Sequence, residues 1–438
     1  GRSVREVVGG VIMSGMSAVR TKFNQYYRAL NSAQREAVDA IEGPVMVVAG
    51  PGTGKTQILT LRIANILRQT DVGPSSILAL TFSQAGVAAM RQRLATIAGP
   101  VGYRVPIYTF HGFCNKVIGD YPEYFPRIVG SKNARLVDQV KIIEQLLADK
   151  KWKNLRPSGS PHYYLFDILS EIERLKKENI TPAELTKLIK TDQSKLDQKF
   201  VGRHRELASL YRLYEQALTR AKLYDFADML MVVTGELRAN KELLAELQEE
   251  YQYLLADEHQ DANQVQNDLL EQLASFHDSP NLFIVGDDKQ AIFQFQGASL
   301  DNFLYFQRRY PEAKLITLRD NYRSGQVILD SAHSLAIATG QQLVEQVQLI
   351  SHQYQREARV LVRPFLSSAN EVTHLAGEIQ SLIASGQDPN EIAVLYRDNS
   401  DAESVARALE AEGVPTVIES QINLLYDPTI QKLLAILE

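Results

Sequence analysis

What this 438-residue chain lacks bounds it first. It has a single cysteine, Cys114, so it can build neither an internal disulfide framework nor a cysteine-cluster zinc site. A reducing, cytoplasmic setting is the expectation that follows. No run of about eighteen apolar residues occurs, so no membrane-spanning helix is predicted. Positive charge is not in excess: 47 Lys and Arg face 52 Asp and Glu, for a net charge of −5. Contact with nucleic acid would therefore rest on local patches, not on a globally basic surface. Residues 1–20 lack the apolar core of a signal peptide. The chain does not start with methionine, Met13 or Met16 reads as a natural start, and residues 1–19 are expected to be a tail or cloning remnant. No internal repeat or low-complexity segment appears. The remaining composition, 45% hydrophobic and 23% charged, is that of a globular protein with length for two to four domains.

What is present is organised around Val45-Met46-Val47-Val48-Ala49-Gly50-Pro51-Gly52-Thr53-Gly54-Lys55-Thr56 and the segment Gln57 to Leu67. A β-branched apolar run, a glycine-rich turn and a stretch with helical periodicity follow one another. This is the context of a phosphate-binding loop. Glycines let backbone N–H groups wrap a triphosphate, and the helix N-terminus adds partial positive charge. Lys55 would reach the β- and γ-phosphates, and the Thr56 hydroxyl would ligate Mg²⁺. Ala49 stands where the GxxxxGK[ST] pattern has its first glycine, so the match is relaxed. A plain glycine turn with a surface lysine would explain neither the buried strand nor the Lys-Thr pair.

Upstream, Asn31 or Ser32 reads as the N-cap of a helix. Gln34 on that helix is either a surface glutamine or an amide reading an adenine edge. Downstream, Ile77–Ser83 reads as a strand ending near Phe82, and Val105–Gly112 as a strand ending at His111. Ligands sit at the carboxyl ends of strands in open α/β sheets, so Phe82 and His111 are ligand-facing candidates or simple packing. From about Cys114 to Lys222 helical periodicity takes over. The basic clusters Lys150-Lys151-Trp152-Lys153 and Arg174-Leu175-Lys176-Lys177 there are either phosphate contacts or solvated helix faces. Tyr251–Ala256 reads as a strand running into Asp257-Glu258-His259-Gln260-Asp261. Those acids are either a surface turn or a catalytic pair, with Asp257 holding Mg²⁺ through water and Glu258 as general base. After a strand at Leu282–Asp288, Gln290 is placed to sense a γ-phosphate or the attacking water. Phe293 and Phe295 are core residues or stacking platforms for bases. Ala313–Leu318 is expected to begin a second α/β unit, followed by a helix from Gln326 to Ala338. Strands at Glu357–Val362, Ile392–Tyr396 and Thr416–Glu419, and helices at Ala369–Ala384, Asp401–Ala411 and Pro428–Leu437, are expected to complete it.

Taken together these blocks resemble the UvrD/Rep family of superfamily 1 DNA helicases. The likeness rests on Leu30-Asn31…Gln34, Ala49–Thr56, Thr81-Phe82-Ser83, Thr109-Phe110-His111-Gly112, Asp257–Asp261, Val285-Gly286-Asp287-Asp288…Gln290 to Gly297-Ala298, and Asn321-Tyr322-Arg323-Ser324. They stand in family order over about residues 30 to 325, and Ile392–Arg397 adds a weaker match. The resemblance implies an α/β fold with a RecA-like P-loop motor domain over 20–112 and 223–298. It implies a helical insertion at 113–222 and the first half of a second RecA-like domain over 299–438. It also implies roles. Gln34 and Tyr322 would hold adenine. Ala49, Gly50, Pro51, Gly52, Thr53, Gly54, Lys55 and Thr56 would wrap the phosphates of ATP, with Thr56 and Asp257 on Mg²⁺. Glu258 would serve hydrolysis, Gln290 would couple the γ-phosphate to DNA, and Arg323 would reach across the domain cleft to the transition state. Phe82, His111, Phe293 and Phe295 would line a path for single-stranded DNA.

The chain departs from that family at several points. His259 stands for phenylalanine, Gln57 and Gln296 for arginine, and Phe293 and Phe295 where tryptophan or tyrosine is common. Two later family motifs, including a second arginine, are absent. The expectation is therefore a fragment of a 3′→5′ DNA translocase or helicase that binds nucleotide but hydrolyses it weakly. The competing readings are a truncated ATP- and DNA-binding module without a motor, and a P-loop NTPase that remodels protein partners.

Overall fold

The apolar runs do form strands, and most of them join one parallel sheet. In the computed structural model, which describes residues 21–149, 151–192, 198–290, 301–338, 347–353 and 359–418, the strands follow in this order. They are β1 (Val45–Ala49), β2 (Ile77–Thr81), β3 (Ile107–Thr109), β4 (Lys132–Asn133), β5 (Leu223–Tyr224), β6 (Tyr253–Ala256), β7 (Leu282–Gly286), β8 (Lys314–Leu318), β9 (Asp320–Asn321) and β10 (Ile350–Ser351). Six of them make the main sheet in the order β3-β2-β6-β7-β1-β8, and each of its pairings is parallel. β4 pairs with β5, and β9 with β10.

Alternation explains why these strands read as continuous apolar runs. Val45, Val47 and Ala49 of β1 face one hydrophobic core together with Ala79, Leu255, Phe283, Val285 and Ile316. Met46 and Val48 face the other, with Leu78, Leu80, Leu254 and Ile284. Both faces of the sheet are covered, as parallel sheets require. On the first face lie α1 (Ser32–Asp39), α2 (Lys55–Gln69) and α3 (Gln84–Ala98). On the second lies α4 (Phe110–Asp120), which buries Phe113, Cys114 and Val117.

A helical subdomain follows, made of α5 (Leu136–Leu147), α6 (Leu165–Lys177), α7 (Pro182–Asp192) and α8 (Gln198–Arg220). It has a core of its own built on Ile143, Trp152, Ile172, Leu210 and Tyr214. The chain then returns to the second face of the sheet through α9 (Phe226–Ala239), α10 (Lys241–Glu250), α11 (Gln264–Ala274) and α12 (Asp301–Arg309).

Helix α2 is the most deeply anchored element near the glycine turn. Ile58, Leu59, Leu61, Ile63 and Ile66 are all fully buried, and each such side chain contributes about 1.5–3 kcal/mol over leaving it exposed. Arg62 in the same helix is also buried, but its guanidinium donates to the carbonyls of Ala37 (2.9 Å) and Ile41 (3.2 Å) and lies over the Phe283 ring. Burial still pushes its pKa down to about 9.

The root of the helical subdomain holds a buried ionic knot. Lys176 of α6 is 1% exposed, yet it pairs with Asp225 (2.5 Å), Asp228 (2.7 Å) and Glu215 (2.6 Å). Arg127 adds contacts to Glu215 and to Asp228 at 3.1 Å. Burial opposes the charge on Lys176, but the three acids outweigh it and hold the amine protonated. Asp225 is also the N-cap of α9, in a reciprocal capping box with Asp228. The basic run Arg174–Lys177 is therefore not a phosphate contact throughout, because Lys176 points into protein. Of the other cluster, Lys150 lies outside the described residues.

Several expectations need correction. The strand ending at His111 stops at Thr109; Phe110, His111 and Gly112 open α4 instead, because the Thr109 hydroxyl caps Gly112 N–H. Residues 113–120 belong to the core of the main sheet and not to the helical subdomain. β8 does not begin a second sheet: it pairs with β1 from Val45 against Lys314 to Ala49 against Leu318.

The chain divides into two compact units, at residues 1–359 and 360–438. Within the second, α13 having ended the first unit's helices at Gln326–Ala338, the helices α14 (Ser368–Ala384) and α15 (Asn399–Ala411) match expectation and share a small core of Ala376, Ile379, Leu409 and Val414. The expected strands at 359–362, 392–396 and 416–418 are not strands among the described residues. They have no ladder partner there, and Val362, Leu395 and Val417 stand exposed. The expected helix Pro428–Leu437 lies outside the described residues, as do residues 1–20.

Candidate nucleotide site

The glycine turn bridges β1 and α2, and its backbone conformation requires glycine. Gly52 and Gly54 have φ of +70° and +92°, in the left-handed region that a Cβ disfavours. A Cβ on Gly52 would also meet Arg323 Cβ at 2.6 Å. The turn is held from three sides. Thr53 Oγ1 donates to Gly50 O (2.7 Å), Gln34 Nε2 to Thr53 O (2.8 Å), and Tyr322 N to Gly52 O (2.9 Å). Asn321 Nδ2 donates to Pro51 O. Asn31 caps α1 in a capping box with Gln34, as expected for one of the two candidates. Gln34 is buried, with one donor spent on the loop and one acceptor on Asn31. Its second hydrogen and second lone pair remain for another partner.

Across from the turn, β6 ends in the acid pair. Asp257 N–H donates to Leu80 O, and Asp257 Oδ1 accepts from Glu258 N (3.0 Å). Burial, then the neighbouring Glu258 charge, raise the Asp257 pKa to about 6, against the opposing pull of Lys55. Glu258 has φ +50° and ψ +44°, a left-handed conformation uncommon for a non-glycine residue and frequent at functional sites. Its Oε2 pairs with Lys55 Nζ at 3.2 Å and accepts from Gln260 Nε2 at 2.8 Å. Gln260 in turn takes Asp287 N–H on its Oε1 (2.9 Å), which ties the acid pair to the end of β7. In the sequence Gln260 stands only as part of the Asp257–Asp261 block, with no role of its own. Its role shows only once β6 and β7 are side by side.

Gln290 is exposed and closes a short turn with its N–H on Asp287 O (3.1 Å). It lines a small cavity with Gly50, Pro51 and Asp287. Tyr322 and Arg323 follow β9, and their position corrects an expectation. They do not reach the loop from a second domain: β8 pairs with β1, so the chain carries Asn321–Arg323 directly onto the loop within the first unit. Arg323 is exposed, and the Asn321 side chain takes the N–H groups of Arg323 and Ser324.

Phe82 is exposed at the end of β2. His111 stacks on Phe226 with ring centroids 3.7 Å apart and planes at 17°. Burial, with Lys177 adding to it, outweighs a hydrogen bond to the Phe226 backbone and lowers the His111 pKa to about 4. Phe226 was missed in the sequence because it opens a helix that reads as ordinary, yet 56% of it is exposed. Phe293, Phe295 and Gln296 lie outside the described residues.

The residues fit Mg²⁺ and a triphosphate. Thr56 and Asp257 offer the hard oxygen ligands that Mg²⁺ takes, and Asp257 is a buried acid whose ionised form gains from a nearby cation. The close carboxylate trio found among the described residues, Glu215, Asp225 and Asp228, lies elsewhere and has Lys176 in its midst.

A parallel sheet with α2 rising from the glycine turn, and an acid pair on a neighbouring strand end, define an α/β P-loop protein of the RecA-like kind. The UvrD/REP helicase N-terminal domain matches residues 30–311, and the UvrD-like helicase C-terminal domain matches residues 316–438. The chain belongs to the UvrD/REP helicase family. It is similar to the ATP-dependent DNA helicase PcrA of Staphylococcus epidermidis, 29% identical over 406 residues that cover 90% of this chain and 51% of the relative. It is 28% identical to PcrA of Staphylococcus aureus over 395 residues, with the same shares covered. The match to the C-terminal domain gives no support to the expected fragment. The chain spans about half the length of the curated relatives it matches. Among the described residues, no helix is long and apolar enough to cross a membrane.

Proposed function

We propose that the protein is an ATP-driven motor on single-stranded DNA, a 3′→5′ translocase or helicase of the UvrD/Rep type that serves DNA repair or replication in the cytoplasm. The observation that carries this reading is Lys55 at the start of α2, facing Glu258 at 3.2 Å beside the buried Asp257, in a chain of this family.

The backbone N–H groups of Gly50–Thr56 and the Lys55 amine bind the phosphates, and Gln34 and Tyr322 take the adenine. A triphosphate on Lys55 competes with its ion pair to Glu258. That carboxylate is then free to accept a proton from the attacking water, held in place by the Gln260 amide. When bound by Thr56 and Asp257, Mg²⁺ neutralises charge on the phosphate oxygens. Arg323 lies beside Gly52 to meet charge developing on the γ-phosphoryl group, and Gln290 senses its departure. Phe82 and the His111–Phe226 stack offer π-faces to bases, as Phe293 and Phe295 are proposed to do.

The test is ATP turnover by the full chain with and without a single-stranded oligonucleotide, beside displacement of streptavidin from either end of that strand. Stimulation by DNA and displacement from the 5′ end support the proposal. Turnover indifferent to DNA, yet lost in Lys55→Ala, would favour a motor that remodels protein partners.

A further inference from the structure

The register of β9 and β10 places one more ring beside Tyr322. Ile350 is paired with Asp320 and Ser351 with Asn321, and His352 N–H donates to Asn321 O at 2.8 Å. One step further along these parallel strands sets His352 next to Tyr322 on the same side. The two rings stack there, centroids 5.0 Å apart and planes at 27°.

Both rings are tied down by the same carboxylate. His352 Nε2 meets Asp320 Oδ1 at 2.9 Å. Asp320 Oδ2 accepts from Asn31 Nδ2 at 2.6 Å, and that amide also reaches the Tyr322 hydroxyl at 3.2 Å. Asn31 is the N-cap of α1, the helix that carries Gln34. Gln353 Nε2 donates to Tyr322 O at 2.7 Å. The tyrosine is thus fixed at its hydroxyl, its backbone and one ring face, while 41% of its surface stays exposed.

We propose that His352 is a positioning residue for the nucleotide base: it backs one face of Tyr322 so that the other face meets the adenine as a preset platform. The inference rests on the ATP-site reading above and adds a residue to it. A side chain with three rotatable fates loses entropy when a base stacks on it, and a ring already held in the bound orientation loses less. The Asp320 carboxylate orients the imidazole, and through Asn31 the same carboxylate links the platform to the helix of Gln34. The two groups that would touch the base, Gln34 and Tyr322, are then held by one hydrogen-bonded array. His352 lies outside the phosphate-binding groups, so it acts on the base and leaves the phosphates alone.

The test compares binding of ADP and of inorganic tripolyphosphate, each with Mg²⁺, to the 438-residue chain by calorimetry. Stacking between aromatic rings corresponds to roughly a two- to ten-fold change in affinity. His352→Ala is expected to weaken ADP binding by about that factor and to leave tripolyphosphate binding unchanged. His352→Phe, which keeps the ring and loses only the bond to Asp320, is expected to recover most of the ADP affinity. Equal loss of ADP and tripolyphosphate in His352→Ala, or no rescue by phenylalanine, would overturn the inference. Unchanged ADP binding in His352→Ala, with normal binding by the wild type and loss in Lys55→Ala, would overturn it alone. A wild-type chain that binds neither ligand would overturn the ATP-site reading and this inference with it.

Discussion

The first unit contains two clusters of acids and cations, and they are built to opposite ends. At the root of the helical subdomain, Lys176 and Arg127 are matched against Asp225, Asp228 and Glu215. Lys176 has three acids within 2.7 Å and 1% exposure. At the glycine turn, Lys55 has one carboxylate, at 3.2 Å, and that partner's side chain is 36% exposed. The same residue types make a closed fastening in one place and an exchangeable contact in the other. What separates them is saturation. A charge surrounded by several buried counter-charges has no reason to leave, whereas a single partly wet ion pair is of low strength and yields to a ligand with more charge.

Removing the cation of the closed cluster is the strongest way to test this contrast. Lys176→Ala leaves three acids buried without their central partner, and breaking a buried pair in this way costs about 3–5 kcal/mol. Urea or thermal unfolding would show the loss, whereas Lys55→Ala should leave the unfolding midpoint nearly unchanged while ATP binding disappears. Equal stabilities for the two variants would erase the distinction drawn between the clusters.

The knot comes to the surface at the start of α9, where Asp225 pairs with Lys176 and its neighbour Phe226 faces outward against His111. Phe226→Ala is expected to weaken single-stranded DNA binding by about 1–3 kcal/mol, the range for one base stacked on an aromatic ring. Fluorescence anisotropy with a labelled oligonucleotide would measure it, and stability should hold because the ring is exposed. If the same change unfolded the chain, Phe226 would belong to the fastening and not to the binding face.

A comparable effect is expected in the pH dependence of stability. His111 has a folded pKa of about 4, below the ordinary histidine value of 6.5. The unfolded chain therefore takes up a proton between those values while the folded one does not. Stability from this group is full above about pH 6.5 and declines as pH falls toward 4, by roughly 1–3 kcal/mol in all. His111→Phe should flatten that part of the acid limb in unfolding curves measured at stepped pH. An unaltered slope would mean that His111 is as solvated as in the unfolded chain.

How much of this was legible in the sequence depended on how local the cause was. The strand, turn and helix from Val45 to Leu67 could be read because burial on both faces and the helical period leave a continuous pattern. The N-cap at Asn31 or Ser32 could be read because capping needs only neighbours in sequence, and Asn31 is the one that caps. The partner of β8 could not: an apolar run states that a strand is buried, not which sheet it joins, and Arg323 was consequently placed across a cleft. The start of α4 at Phe110 was missed because a Thr109 cap followed by aromatic residues also fits a strand. Lys176 was misread since a basic run has the same pattern whether its amines meet solvent, phosphate or three acids distant in the chain. Gln260 and His352 act only through strand neighbours, and no spacing along the chain announces them.

Glu258 is proposed as the base that Lys55 holds until phosphate arrives. The direct measurement is ATP turnover and ATP affinity of Glu258→Gln side by side with the wild type, with single-stranded DNA present. Turnover is expected to fall by about 10²–10⁴-fold, the usual contribution of a positioned general base, while ATP binds as tightly as before or somewhat tighter because Lys55 no longer has a competing carboxylate. Turnover within a few-fold of wild type, or a loss of ATP binding as severe as that of Lys55→Ala, would contradict it.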